Sequence, residues 1–378
     1  MAVPYSDLGL SPNMQTLHYG SAEFEGMTAQ IGEDGNVYIF GMREHYVRYR
    51  NGAIKQGIEY VTYEVFNDAV IKAVQQNARF MPKNGRMYIR QHSADIGPQM
   101  RVGNSRISGF FIEVTPIGSV GSYFGAREMD ETGNLSMKVM GVPDNKVRSA
   151  EGQGLVKGVG NYSHTPPVIR AVTGMNLAQE GKKPLKPDGV LYLDRMVEGL
   201  DPESEEFRNA RVCETNASNT IFIQNLSDGK YRLVVPTLEH GDILPGNTRM
   251  LILDKARELG WEIDERDITI GELMDGKFDS AMNCGTAAMI SPFDAIHFLH
   301  IKERTLQEEE SGSDVPKMVA ESRGTFIKIR SQEAVNSEPT PKPVEIILEK
   351  LLAVKAGASG EKDKKRYLTQ VPGLIARA

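Results

Sequence analysis

Cysteine is nearly absent from this 378-residue chain. Only Cys213 and Cys284 occur, too few for a disulfide framework and in keeping with a reducing compartment. Positive charge is not in excess: 44 Lys and Arg against 50 Asp and Glu leave a net charge of −6. The lysine clusters, Lys182-Lys183 and residues 362–366, are short, so no nucleic-acid partner is expected. Long apolar runs are missing too, since no stretch approaches the ~20 residues that a membrane-spanning helix needs. The start, Met1-Ala2-Val3-Pro4-Tyr5, has no basic region ahead of an apolar one, unlike a signal peptide. These absences predict a cytoplasmic protein with no membrane partner. His297 and His300 stand three apart, but no carboxylate or cysteine completes a metal-binding set, and no metal is expected.

What is present is a mixture of strand and helix signals in a chain long enough for two or three domains. Residues 36–40 and 87–90 read as strands, as does 107–114, and residues 43–50 are compatible with a helix. Val65, Ala69, Val70 and Ala73 have helical spacing over 63–77. A glycine-rich stretch from 117 to about 135 is the candidate interdomain connection. Val190 to Leu193 looks like a strand, and residues 220–223 and 231–235 flank the turn Ser227-Asp228-Gly229-Lys230 as a hairpin. Residues 248–259 form a helix ending at Gly260. Beyond 300 the chain turns polar. Residues 308–313 and 337–343 read as loops, and 356–365, small and charged, as a mobile tail.

Four stretches carry chemistry. Lys157 lies among glycines and apolar residues in Gly154-Leu155-Val156-Lys157-Gly158-Val159-Gly160-Asn161-Tyr162. Partial desolvation favours its neutral amine, which can form a Schiff base with pyridoxal phosphate (PLP) or with a carbonyl substrate. A surface lysine on a glycine-rich loop is the plainer alternative. Glu214 precedes a run of small polar residues; a buried carboxylate there needs a cationic partner, either a pyridinium nitrogen or an ordinary lysine or arginine. Leu244-Pro245-Gly246-Asn247-Thr248 opens a helix whose free N–H groups suit an anion. Cys284-Gly285-Thr286-Ala287-Ala288 again offers N–H groups and a hydroxyl.

In this order the four stretches resemble the fold-type-IV (class IV) PLP aminotransferases, the branched-chain amino-acid type in particular. The N-terminal third agrees. His18-Tyr19-Gly20 and Phe24-Glu25-Gly26 are similar to that family's H-Y-G…F-E-G segment. Glu44 to Arg48 resembles its phosphate-arginine helix, and Tyr88-Ile89-Arg90 its Y-I-R strand. Gly121-Ser122-Tyr123-Phe124-Gly125-Ala126 is similar to its interdomain loop. The match runs in register from about 15 to 295.

The resemblance implies an α/β (α+β) enzyme of two domains. These are a small N-terminal α/β domain at 1–120, an interdomain loop at 121–135 and a larger PLP-binding domain at 136–378. It implies that Lys157 carries PLP and moves the proton, and that Glu214 pairs with the pyridinium nitrogen. Tyr162 would bond the ring's phenolic oxygen, and Arg48, Asn247, Thr248 and Thr286 would hold the phosphate. For the substrate it implies Thr286 and Ala287 N–H groups with Tyr88 at the α-carboxylate, and Phe24 at the side chain. Arg90 and Tyr123, with Tyr19 from the second subunit of a homodimer, would sit at glutamate's distal carboxylate. The implied reaction is transamination between Leu, Ile or Val and 2-oxoglutarate.

The chain departs from the family pattern at several places. Val159 replaces a glycine beside the cofactor lysine, Gln91 replaces a proline, and Thr215-Asn216-Ala217-Ser218 lacks the usual glycine. Residues 181–208 read as an inserted surface loop, and the polar tail is atypical. Within the same fold, D-amino-acid or amine aminotransferases and aminodeoxychorismate lyase are the alternatives, with a degenerate non-catalytic PLP-binding protein as the remaining one. The Phe24-Glu25-Gly26 and Tyr88-Ile89-Arg90 pieces favour the branched-chain type.

Overall fold

The computed structural model describes residues 9–83, 85–118, 122–123, 126–127, 138–147, 152–174, 177–179, 182–185, 187–305, 316–329 and 341–375. Much of the expected interdomain stretch, and the loops at 308–313 and 337–340, lie outside them. The chain divides into two compact units. Unit 1 takes Met1–Ile117, Val156–Ser163 and Val354–Ala378; unit 2 takes Gly118–Leu155 and His164–Ala353.

Unit 1 opens with a short helix, α1 (Gln15–Tyr19), and strands β1 (Ala22–Ile31) and β2 (Asn36–Phe40). Helices α2 (Met42–Gln56) and α3 (Tyr63–Gln76) follow, then β3 (Arg86–Asp95) and β4 (Ser108–Ile117). Gly41 and Gly57, both at positive φ, bracket α2, and the Thr62 hydroxyl accepts the Val65 N–H to start α3. Every strand pairs antiparallel with its neighbour, β1 lying between β2 and β3. Because side chains alternate along a strand, one face presents Met27, Ala29, Val37, Ile39, Met87 and Ile89 to Tyr49, Phe66, Val70 and Val74 of the helices. The register sets Gly26 opposite Arg90, Thr28 opposite Tyr88 and Gln30 opposite Arg86, so the second face carries Phe24, Thr28, Arg86, Tyr88 and Arg90.

Unit 2 holds two-stranded pairs, β5 (Ser122–Tyr123) with β6 (Ala126–Arg127) and β8 (Leu177–Gln179) with β9 (Lys182–Leu185). Its main sheet begins with β7 (Lys138–Pro143), β10 (Gly189–Leu193), β11 (Val212–Thr215), β12 (Asn219–Asn225) and β13 (Tyr231–Pro236). It continues with β14 (Glu262–Arg266), β15 (Ser280–Gly285), β16 (Met289–Thr305) and β17 (Pro316–Lys328). The strand order is β11-β10-β7-β16-β15-β12-β13-β14, with β17 also on β16. Helices α4 (Thr165–Thr173), α5 (Glu205–Arg208), α6 (Asn247–Glu258) and α7 (Ile270–Met274) complete the unit. The β12–β13 hairpin and α6 stand where the sequence placed them, Gly260 taking φ 71 after the helix.

Two expectations are corrected. The stretch 181–208 is not a surface insertion throughout: β10 lies inside the main sheet, buried along its whole length, and Phe207 joins the core. The end of the chain is no mobile tail either. Helix α8 (Lys342–Lys355) is followed by α9 (Glu361–Tyr367) and β18 (Leu368–Ile375), and β18 pairs antiparallel with β2. The charges of 361–366 hid this segment, because most of them are turned to solvent while Tyr367 and Val371 are buried. For the same reason residues 156–163 and 354–378 belong to the first unit, not to a continuous body from 136 to 378. Val371 sits in the unit 1 core. Val371→Ala is expected to cost roughly 2 kcal/mol in urea unfolding; an unchanged midpoint would show that the terminal strand is not docked.

Candidate active site

On unit 1, residues 156–163 run against the start of β1. The Phe24 N–H donates to the Lys157 carbonyl at 3.1 Å, and Glu23 and Gly158 form an antiparallel bridge. This places the Lys157 ammonium 4.7 Å from the centre of the Phe24 ring, and its Nζ donates to Tyr162 Oη at 3.1 Å. Phe24 and Tyr162 meet edge to face with centroids 5.1 Å apart. Arg90 covers Phe24 at 4.7 Å and donates to Tyr88 Oη at 3.0 Å. Lys157, Tyr162, Phe24, Tyr88 and Arg90, distant in sequence, therefore form one cluster of cations on aromatic faces. Val159 is 41% exposed and adds nothing to it.

Behind β1 lies a polar layer around Arg48 in which the sequence reading gave no role to Glu23, Glu25, His45 or Gln56. Arg48 donates from Nε to Glu25 Oε1 and from Nη2 to Oε2, both at 2.7 Å, and His45 Nδ1 is 2.7 Å from Oε2. Burial works against the Glu25 charge, but Arg48 and His45 overcome it and hold the carboxyl well below the usual range. Burial lowers the His45 pKa, against the pull of the Glu25 charge and hydrogen bond. Glu23, fully buried two residues away, accepts from Gln56 Nε2 at 2.9 Å, and its Oε1 has no partner among the described residues. A Cβ on Gly52 would collide with the Glu23 carboxylate. Residues 45, 48, 52 and 56 follow helical spacing, so one stripe of α2 serves both carboxylates. That spacing, set against alternate glutamates on β1, was the signal available in the sequence.

On unit 2, Glu214 is buried at the end of β11. Its Oε1 accepts the Leu244 N–H at 2.9 Å and its Oε2 accepts from Asn219 Nδ2 at 2.9 Å. Asn219 Nδ2 also donates to the Leu244 carbonyl at 2.8 Å, tying the 243–247 loop to the sheet. A Cβ on Gly246 would strike the Asn219 side chain, so the turn into α6 requires glycine. That helix has no side-chain cap, and the Thr248 Oγ1 and Asn247 Nδ2 atoms at its start are buried without partners among the described residues. Free N–H groups with two orphaned polar atoms form a set suited to an anion. Thr286 and Ala287 occupy the turn between β15 and β16, where Met289 takes φ 67. Burial pushes the Cys284 thiol up to about 12 and the Cys213 thiol well above its ordinary value, so neither is a ready nucleophile.

Tyr19 does not join the Lys157 cluster. It is 43% exposed and donates to the Met100 carbonyl at 2.6 Å. The Tyr123 side chain lies outside the described residues.

The model of the amino-transferase class IV family matches residues 207–296, the stretch that holds Glu214, Asn247, Thr248, Thr286 and Ala287. Branched-chain amino acid aminotransferase 2, chloroplastic, of Humulus lupulus is 32% identical over 297 residues, 78% of this chain and 63% of that protein. A probable branched-chain-amino-acid aminotransferase of Staphylococcus aureus (strain MRSA252) is 29% identical over 323 residues, 84% of this chain and 80% of that one. The chain is similar to the class IV aminotransferases. It has their fold-type-IV architecture: the Thermoproteus uzoniensis branched-chain aminotransferase, solved with norvaline, superposes with a TM-score of 0.65 at 22% identity, over 98% of this chain and 96% of that one. The branched-chain amino acid aminotransferase from Escherichia coli gives 0.64 at 20%, over 98% and 96%. The chain spans less than two thirds of the Humulus relative's length.

The buried Glu23 gives a pH test. Burial, and then the Glu25 charge, push its carboxyl from 4.5 up to about 9, against the pull of Arg48, Lys157 and Gln56. The folded chain keeps a proton on Glu23 that the unfolded chain releases above 4.5, so this group's contribution to stability falls as pH rises from 4.5 to about 9. Glu23→Gln, which keeps the shape without the charge, is expected to be more stable than the parent by roughly 1–3 kcal/mol at about pH 8. The gap should close toward about pH 4.5 in denaturant titrations; a gap that does not vary with pH would remove the protonated Glu23.

Proposed function

We propose that this chain is a PLP-dependent aminotransferase that moves an amino group between a branched-chain L-amino acid (Leu, Ile or Val) and 2-oxoglutarate. The observation that carries the reading is the Lys157 cluster: an amine held on Tyr162 and packed over Phe24, with Arg90 and Tyr88 beside the same ring.

The donor sets suit PLP. The α6 start with its orphaned Thr248 and Asn247 atoms would take the phosphate, joined by Thr286 and by Arg48. Glu214, fixed by two neutral donors, would hold a protonated ring nitrogen. When bound, the cofactor supplies an electron sink that makes the substrate Cα proton removable.

The remaining chemistry falls to the chain. Lys157 Nζ would take that proton and return it, Tyr162 Oη keeping the amine aimed. Phe24 would line an apolar side-chain pocket that an isobutyl or sec-butyl group fills. Arg90, with Tyr88 and Tyr123, would receive the second carboxylate of glutamate, which lets one pocket accept both substrates. The N–H groups of Thr286 and Ala287 would bind the α-carboxylate. Tyr19 would come from a second subunit, making the working species a homodimer, and the enzyme would act in the cytoplasm. Among the described residues no helix is long and apolar enough to cross a membrane.

Lys157→Ala is expected to abolish the visible absorbance band that the parent shows with PLP, and to lower turnover by roughly 10²–10⁴-fold. A parent that takes up no PLP would remove the cofactor reading. In single-turnover mixing, L-Leu, L-Ile, L-Val and L-Glu should each bleach that band. If all four fail while a D-amino acid or an amine succeeds, the branched-chain assignment is wrong.

A further inference from the structure

The second face of the unit 1 sheet continues past the Lys157 cluster into a group of donors that the proposed chemistry does not use. Arg86 is 3% exposed, and its Nε and Nη1 atoms are buried without a hydrogen-bond partner among the described residues. Thr28 is 1% exposed and its Oγ1 is likewise unmatched. The register explains why the two converge. Arg86 stands opposite Gln30, and Thr28 is two residues before Gln30 on β1, so both side chains leave the sheet on one face, about 7–8 Å apart along a diagonal. Phe40, two residues beyond Tyr38 on β2, completes the row, and the Lys355 ammonium lies 5.0 Å from the centre of its ring. Lys355 is 1% exposed. Tyr367 stacks on Phe40 with centroids 6.2 Å apart, so the terminal segment folds over this part of the face.

Arg86 decides what this place can hold. Guanidinium cannot shed its proton, and burying it with unmet N–H groups costs free energy unless an anion sits against it. No described carboxylate acts on Arg86; burial alone lowers its pKa. Burial and the neighbouring Arg86 charge push the Lys355 amine down to about 7, as two cations sharing one low-dielectric space require.

We propose that Arg86, Lys355 and the Thr28 hydroxyl form a binding site for a small oxyanion on the second face of the unit 1 sheet, separate from the groups assigned to PLP and substrate. The fourth neighbour on that face is Tyr88, which lies between Arg86 and Arg90 on β3. An anion bound here therefore sits one residue pair from the proposed substrate wall. The site does not depend on the role given to Lys157.

Sulfate is a suitable probe because it stays a dianion across neutral pH. The full chain, saturated with PLP so that phosphate-binding groups near the cofactor are filled, is melted in sulfate and in chloride at equal ionic strength. The parent should show a saturable rise in Tm at millimolar sulfate, over the gradual rise that sulfate gives any protein. Arg86→Met should raise the half-saturating concentration by about tenfold or more, and Thr28→Val by about two- to fivefold, while the PLP absorbance band stays in place. If Arg86→Met does not fold, Lys355→Met and Thr28→Val carry the comparison. The same saturable response in the parent and the variants would overturn the site, as would a parent response no larger than that in chloride. Loss of the Lys157 band is a separate readout, so a failed PLP reading and a failed anion site are told apart.

Discussion

Two hydrogen bonds from Arg48 and one from His45 converge on the Glu25 carboxylate inside unit 1, and the placement of β1 follows from them. A buried pair of this kind adds little to stability compared with a well-packed apolar substitute, but removing one partner strands a charge at a cost of about 3–5 kcal/mol. Its value lies in register. A slip of one residue would turn Glu25 toward the other face and leave Arg48 and Glu25 both unmatched. The pair thus ties α2 to one side of β1 and, by alternation, commits Phe24 to the opposite side, where Lys157 and Tyr162 meet it.

The sheet of unit 1 accordingly has two unlike faces. One is a conventional core of Met27, Ala29, Ile39, Met87 and Ile89 against α2 and α3, with the polar layer of Glu23, Glu25, His45 and Arg48 at its edge. The other is polar and cationic, with Arg86, Tyr88 and Arg90 at alternate positions on β3. Unit 2 uses a different device. There Glu214, Asn219 and the Leu244 peptide form a closed set of hydrogen bonds that hold a loop and the start of α6 in place, and Gly246 permits the approach.

Much of this could be read in the sequence where function and local pattern coincide. The hairpin at 227–230 and the helix ending at Gly260 obey short-range turn chemistry, and the stretches around Lys157, Glu214, Thr248 and Thr286 carry recognisable residue orders. The tail could not be read that way. Residues 361–366 look like a solvated charge run, and β18 reveals itself only as a partner for β2, since an edge strand has no local signal beyond a few apolar residues. β10 was read as a strand from Val190 to Leu193 but within a surface insertion, because five residues carry no local signal of which strands will flank them.

By itself the sequence determined the family resemblance, the residue types available for chemistry and the elements set by local propensity and turns, because these depend on neighbours within a few positions. Only the tertiary structure decided which of two glutamates on β1 is ionised. Glu23 and Glu25 differ by two positions and share a face, yet Arg48 and His45 reach one of them and Gln56 the other. The same holds for Arg86 and Lys355, which are far apart along the chain and whose shared burial arises from strand pairing and the fold of the chain's end. Electrostatic state follows from distance and solvent exclusion, and both are properties of packing.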